Sequence, residues 1–101
     1  MGLLTPEPDR LYFIHMPGCP TCAEVKPLVA DFRAKHPYVR VVPLDITRVR
    51  WNASRWMPAV TPTLVHLDRR GRVHIFDGIP AAGGHRIVDK DQVTQWLLTR
   101  F

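Results

Sequence analysis

Leu11-Tyr12-Phe13-Ile14, then His15-Met16-Pro17-Gly18, then Cys19-Pro20-Thr21-Cys22: the fold turns on this stretch. The nearly continuous apolar run, rich in aromatics and Ile, reads as a buried strand over residues 10–16. Pro17-Gly18 breaks it and delivers the chain to Cys19. Beyond the break, Val25, Leu28, Val29 and Phe32 recur at i, i+3, i+4 and i+7, which predicts a helix from Pro20 to about Lys35. Glu24, Lys26, Asp31 and Arg33 fall largely off that face. Cys19 and Cys22 are the only two cysteines. A strand–CxxC–helix context puts the first thiol beside unpaired backbone N–H groups at the positive end of the helix dipole, and both favour the thiolate. The pair therefore reads as a reversible dithiol/disulfide. As a stabilising staple it would do little, because closing so short a loop removes little entropy from the unfolded chain.

Outward from this stretch, Pro20 suits the first helical turn, but Pro27 sits in the helix interior and predicts a kink. His36-Pro37 ends the helix. Tyr38–Leu44 reads as a second strand, with Pro43 restricting it to an edge or a strand end. Strand, helix and strand make a βαβ unit with parallel strands and a right-handed crossover. Asp45 or Thr47 is placed to cap a short helix through Trp56, on a thin apolar face of Val49, Ala53 and Trp56. Pro58 and Pro62 bracket a loop. Thr63–Leu67 and Arg72–Phe76 flank Asp68-Arg69-Arg70-Gly71, a hairpin signal with Gly71 supplying a positive φ. Residues 78–88, with three glycines and Pro80, read as loop. Asp89 reads as the N-cap of a last helix that carries Val93, Trp96, Leu97 and Phe101 on one face. Residues 1–9 read as an irregular N-terminal arm and residues 10–101 as one α/β domain.

At 101 residues, 46% of them apolar and with three Trp and four Phe, the chain can bury a real core as a single domain. The formal charge of +5 raises nucleic-acid binding. The arginines are dispersed, however; the nearest to clusters are Arg48/Arg50/Arg55 and Arg69/Arg70/Arg72, and no nucleic-acid motif surrounds them. They read as solvated surface, with no nucleic-acid partner. The N-terminus lacks a basic n-region and a long apolar stretch, and reads as no signal peptide. No apolar run approaches the roughly 20 residues that span a bilayer. A cytoplasmic monomer is the expectation, and in a reducing compartment a cysteine pair points to catalysis or metal rather than to structure. Zinc would need two ligands from His15, His36, His66, His74 and His85 besides the cysteines. None of these forms an HxxxH-type pair, and His66 and His74 read as paired polar positions on an exposed sheet face, away from the motif. No metal is expected.

The order βαβ, short helix, ββα around a CxxC resembles the thioredoxin fold, a mixed four-stranded sheet flanked by helices. The resemblance covers about residues 10–100. Cys19-Pro20-Thr21-Cys22 lies between the first strand and its helix, as the family's redox motif does. Pro27 stands five residues after Cys22, where thioredoxins carry a helix-kinking proline. Val60-Thr61-Pro62-Thr63 resembles the segment in which the family places a cis-proline before the third core strand. Two departures point elsewhere. Gly18 stands where thioredoxins usually have Trp, and a Cys-Pro-x-Cys motif is closer to glutaredoxins. Phe13 occupies the position, six residues before the first cysteine, where thioredoxins bury an acid. Gly83-Gly84 followed by Asp89 looks like a glutaredoxin glutathione element whose acid comes late.

The resemblance implies a protein-disulfide oxidoreductase with no cofactor beyond its own cysteine pair. Cys19 would be the nucleophile and Cys22 the resolving thiol. Pro20 and Thr21 would tune the potential. Pro62, if cis, would expose the Thr61 backbone to an extended substrate segment. Trp51, Trp56 and Met57 fit either an apolar docking rim or the core. Protein disulfides would be the substrates, and thioredoxin reductase or glutathione the reducing partner. The alternatives are a glutathione-coupled glutaredoxin and a non-catalytic binding subunit; the intact cysteine pair and the candidate cis-proline argue against the second.

Overall fold

A computed structural model describes residues 3–4, 7–48, 50–51, 61–76, 81–82, 85–86 and 88–101. In chain order the elements are β1 (Leu3–Leu4), β2 (Arg10–His15), α1 (Pro20–Lys35), β3 (Val41–Asp45), β4 (Arg50–Trp51), β5 (Thr63–Leu67), β6 (Val73–Phe76), β7 (Ala81–Ala82), β8 (His85–Arg86) and α2 (Lys90–Arg100). The main sheet has the order β3-β2-β5-β6. β2 pairs in parallel with β3 (Leu11 opposite Val41, Ile14 opposite Leu44) and antiparallel with β5 (Leu11 opposite His66, Ile14 opposite Thr63). β5 and β6 form the expected antiparallel hairpin. Pro43 lies exposed on β3, an edge strand, where its missing N–H breaks no ladder.

The alternation of β2 divides the core in two. Leu11 and Phe13 join Val25, Val29 and Phe32 of α1, Leu64 of β5, and Val93 and Leu97 of α2. Tyr12 and Ile14 point to the other face, with Leu44, Val65 and Leu67. A strand buried on both faces is what the unbroken apolar run reflects. α1 runs its full length with Pro27 inside it, although the Ala23 carbonyl lacks the N–H that residue 27 would ordinarily supply. The His36 N–H closes the helix on the Phe32 carbonyl at 2.9 Å. At the start of α2, Asp89 Oδ1 accepts the N–H groups of Asp91 and Gln92 at 3.0 and 3.1 Å, a cap worth about 1 kcal/mol.

Four local readings need correction. The second strand begins at Val41 rather than Tyr38, because the exit from α1 turns through Val39, whose N–H reaches the His36 carbonyl at 3.0 Å. The short helix predicted after Asp45 is not formed over its first residues. Asp45 Oδ1 instead accepts both the N–H (2.9 Å) and the hydroxyl (2.6 Å) of Thr47, closing a local turn. Arg50–Trp51 then pairs as a parallel strand with Leu3–Leu4 of the arm; residues 52–56 lie outside the described set. The 78–88 stretch is not wholly loop, since Ala81–Ala82 pairs antiparallel with His85–Arg86.

The fourth correction concerns His66 and His74. They face each other across β5 and β6, but the face is covered. His66 is only 7% exposed, with the Phe101 ring 4.2 Å from its own. The end of α2 folds over this corner, and Arg100 Nη1 donates to His74 Nδ1 at 2.8 Å. An arginine cannot accept, so His74 carries its proton on Nε2 and gives it to Asp68 Oδ2, 3.1 Å away. Asp68 Oδ1 also accepts the N–H groups of Arg72 and Arg70 at 2.8 and 2.9 Å across the hairpin turn, where Gly71 takes φ +80°.

This corner makes stability pH-dependent. Burial, then the neighbouring His74, hold the His66 pKa below the ordinary 6.5. The Arg72 backbone N–H, with His74 and the Arg70 N–H, pushes Asp68 down to about 2. In both cases the unfolded chain takes up the proton first on acidification, so stability falls with falling pH. The His66 contribution is present above 6.5 and lost below it, down to its lowered folded value. The Asp68 contribution is present above 3.8 and lost toward 2. The urea midpoint is expected to drop between pH 7.5 and 5.5, and again toward pH 3. His66→Leu should flatten the first drop and leave the second; a first drop of the same size in that variant would place its origin elsewhere.

Candidate active site

β2 ends at His15, and the chain reverses through Met16-Pro17-Gly18 into α1. Gly18 takes φ +73°, with nothing within 4 Å of a β-carbon built on it, so the turn needs its backbone freedom and not its small size. Cys19 is the N-cap residue of α1, in extended conformation. Its Sγ accepts the Cys22 N–H at 3.1 Å, the place an Asp or Ser oxygen takes in an ordinary cap. The Ala23 N–H reaches the Cys19 carbonyl at 3.2 Å and opens the helical ladder. The first turn of α1 holds no acidic residue, so no carboxylate there offsets the positive helix end.

Cys19 and Cys22 form a disulfide, with their Cα atoms 5.2 Å apart. The two sulfurs are not equivalent: Cys22 is 5% exposed and part of the buried interior, whereas Cys19 is only half-buried. Two hydroxyls flank the outer sulfur. Thr21 Oγ1 lies 3.5 Å from Cys19 Sγ, and Thr61 Oγ1 donates to it at 3.6 Å from across the fold. Thr61 is brought there by the start of β5, through a cis Thr61–Pro62 peptide bond whose proline is fully buried. Phe13 is buried in the core beneath, so β2 offers no carboxylate at that position.

A cavity of about 890 Å³ opens beside the disulfide, lined by both cysteines, by residues of α1 and by β3. Among the described residues, its titratable side chains besides the cysteines are His15, Lys26 and Arg33.

No protein-family model matches this sequence, and no curated protein matches it. Among solved structures, one described as MTB dsbF in its mixed oxidized and reduced forms aligns with a TM-score of 0.62, covering 93% of this chain and 83% of that one at 18% identity. The fold is thioredoxin-like.

The thioredoxin-like fold brings together Cys19, Cys22, Thr21, Thr61 and Pro62, with Cys19 and Thr61 meeting although they are 42 residues apart in the chain. Pro20 opens α1 at the exposed surface, and Pro27 lies further along the helix. Of the proposed rim, Trp56 and Met57 lie outside the described residues, as do Val60, Gly83 and Gly84; Trp51 is described only as part of β4. The sequence reading gave Thr61 a role through its backbone and missed its hydroxyl. The available signal was a hydroxyl residue immediately before the proline expected to face the motif. The reading also missed Lys26 and Arg33, seven residues apart, which are two turns apart on one side of α1.

Removal of the Thr61 hydroxyl gives a direct test of its reach. A hydrogen bond to a charged group contributes about 1.5–3 kcal/mol when well formed, and this one is long. Thr61→Val, which keeps the shape, is therefore expected to raise the pKa of reduced Cys19. The ultraviolet absorbance of the thiolate, followed against pH in a Cys22→Ser background, reads this shift. An unchanged titration would show that the hydroxyl does not engage the thiolate.

Proposed function

We propose that this protein is a thiol–disulfide oxidoreductase that exchanges its Cys19/Cys22 dithiol with protein disulfides. The inequality of the two sulfurs carries the reading. Cys19 caps a helix, has N–H and hydroxyl donors around it and is open to solvent; Cys22 is enclosed one turn further on. Those donors stabilise a thiolate, which is the attacking species. Cys19 Sγ attacks one sulfur of a substrate disulfide, forms a mixed disulfide and expels the other sulfur as a thiolate. Cys22, deprotonated, then attacks Cys19 Sγ, closes the Cys19–Cys22 bond and releases the second substrate thiol. Two electrons pass to the substrate. A dithiol or a reductase such as thioredoxin reductase, or two molecules of glutathione, returns them in the reducing direction. The reverse sequence oxidises a substrate dithiol, and the reduction potential of the couple decides which runs. That MTB dsbF, which shares the fold, is described in oxidized and reduced forms supports a redox role for a cysteine pair on such a scaffold.

Reduction of insulin followed by turbidity, with dithiothreitol as electron donor, tests the reading. Precipitation is expected well ahead of the dithiothreitol control. Failure there, and also with thioredoxin reductase and with glutathione, would sink it. Equilibration with glutathione redox buffers then gives the potential: a value near the cytosolic poise supports a reductase, and a more oxidising one an oxidase or isomerase.

A further inference from the structure

The cavity beside the disulfide is not part of the Thr61–Pro62 surface, since neither residue lines it. It lies between α1 and the sheet-edge strand β3, and opens because α1 presents Ala30 and Ala34 there instead of long side chains. Most of its lining is apolar, including Val41 and Pro43 of β3. Lys26 and Arg33 project from the same stretch of α1, both are exposed, and neither makes an ion pair among the described residues. Among the described residues, no Asp or Glu lines the cavity. The groove is thus an apolar trough with a positively charged border, beginning at the reactive sulfur.

From Ala23 to Ala34 the helix rises about 16 Å, which matches about five residues of extended chain. Lys26 and Arg33 are about 10 Å apart along the axis, between the roughly 7 Å and 13 Å that separate same-face side chains two and four residues apart in a strand. We propose that this groove docks the segment flanking the reactive cysteine of a protein substrate, and that it selects segments combining apolar side chains with Asp or Glu two or four positions apart, on one face of the extended segment. The proposal rests on the oxidoreductase reading and names its substrate class. The apolar part of the segment covers the trough, and its carboxylates meet Lys26 and Arg33. Exposed ion pairs contribute modestly, so their effect is on choice among substrates and on encounter rate rather than on the chemistry.

Two disulfide-bearing peptides of identical apolar sequence, one with Glu and one with Lys at the two positions, test this. The readout is the ratio of their kcat/KM values with the full-length protein and dithiothreitol as reductant. A ratio, unlike either rate, is insensitive to changes in thiol reactivity shared by both peptides. About tenfold in favour of Glu is expected at low ionic strength, shrinking as salt is added. Lys26→Glu/Arg33→Glu should remove or invert it. A ratio near one in the wild type, or one that survives the double substitution, overturns the proposal. Fluorescence anisotropy with the same peptides carrying Ser for Cys separates docking from catalysis. If the Glu peptide binds preferentially, and loses this preference in the double variant, while no disulfide is reduced, the groove stands and the oxidoreductase reading falls. If both peptides are reduced and bound equally well, the reaction stands and the groove falls.

Discussion

Cys19→Ser is expected to bring disulfide reduction down to the background of dithiothreitol alone, while Cys22→Ser should stop the reaction after its first half. The difference follows from the positions of the sulfurs. Cys19 Sγ belongs to the more exposed of the two cysteines, and it receives the Cys22 N–H at 3.1 Å and the Thr61 hydroxyl at 3.6 Å. Serine keeps the cap, since a hydroxyl accepts the same N–H, so α1 remains folded. It supplies no thiolate near neutral pH, and the attack on sulfur is lost. In Cys22→Ser the outer thiolate still attacks, but nothing inside the helix expels the bound substrate. Mass spectrometry of the non-reduced reaction should then find a one-to-one covalent adduct that dithiothreitol releases. Full turnover by Cys22→Ser with glutathione would instead mean that one cysteine suffices and that glutathione resolves the adduct. An adduct on Cys19→Ser of comparable yield would reverse the assignment of the two sulfurs.

The parts that were legible beforehand share a physical property: each is governed by neighbours in sequence. β2 announces itself by an unbroken apolar run because both its faces are buried, at Leu11 and Phe13 on one side and Tyr12 and Ile14 on the other. The starts of α1 and α2 are readable from Cys19-Pro20 and Asp89, since a cap is a contact over two or three residues. The hairpin is readable from Asp68 and Gly71 for the same reason. What escaped depends on distant chain. Leu3–Leu4 and Arg50–Trp51 find each other as two-residue strands, too short to leave a period. The burial of His66 is decided by Phe101, which folds back over it from the end of α2. The Thr61 hydroxyl matters only because the sheet order carries β5 beside β2, and with it residue 61 to residue 19. Resemblance supplied what local pattern could not: the cis peptide before Pro62 has no signature in composition, and the expectation of it came from the company kept by Cys19-Pro20-Thr21-Cys22 and Pro27.

Leu97→Ala and Leu98→Ala, the same change at adjacent positions of α2, are expected to differ in cost by several kcal/mol. Leu97 is 1% exposed and belongs to the cluster that joins α1 to the sheet, with Val25, Val29 and Phe32. Its truncation loses the transfer energy of the removed atoms and leaves a cavity, together about 2–5 kcal/mol. Leu98 is 56% exposed. Its truncation forfeits little burial, gains slightly in helix propensity and stays within about 0.5 kcal/mol of neutral. Urea unfolding reads both: the midpoint should fall sharply for Leu97→Ala with little change in slope, and hardly move for Leu98→Ala. Equal midpoints would mean that α2 does not pack as described. The larger loss is a substantial share of the roughly 5–15 kcal/mol that holds a domain together, and it falls on the packing that fixes α1. The N-terminus of α1 sets Cys19 against the Thr61 hydroxyl and its own first-turn N–H groups. A side chain on the last helix thereby helps hold the outer sulfur beside those donors.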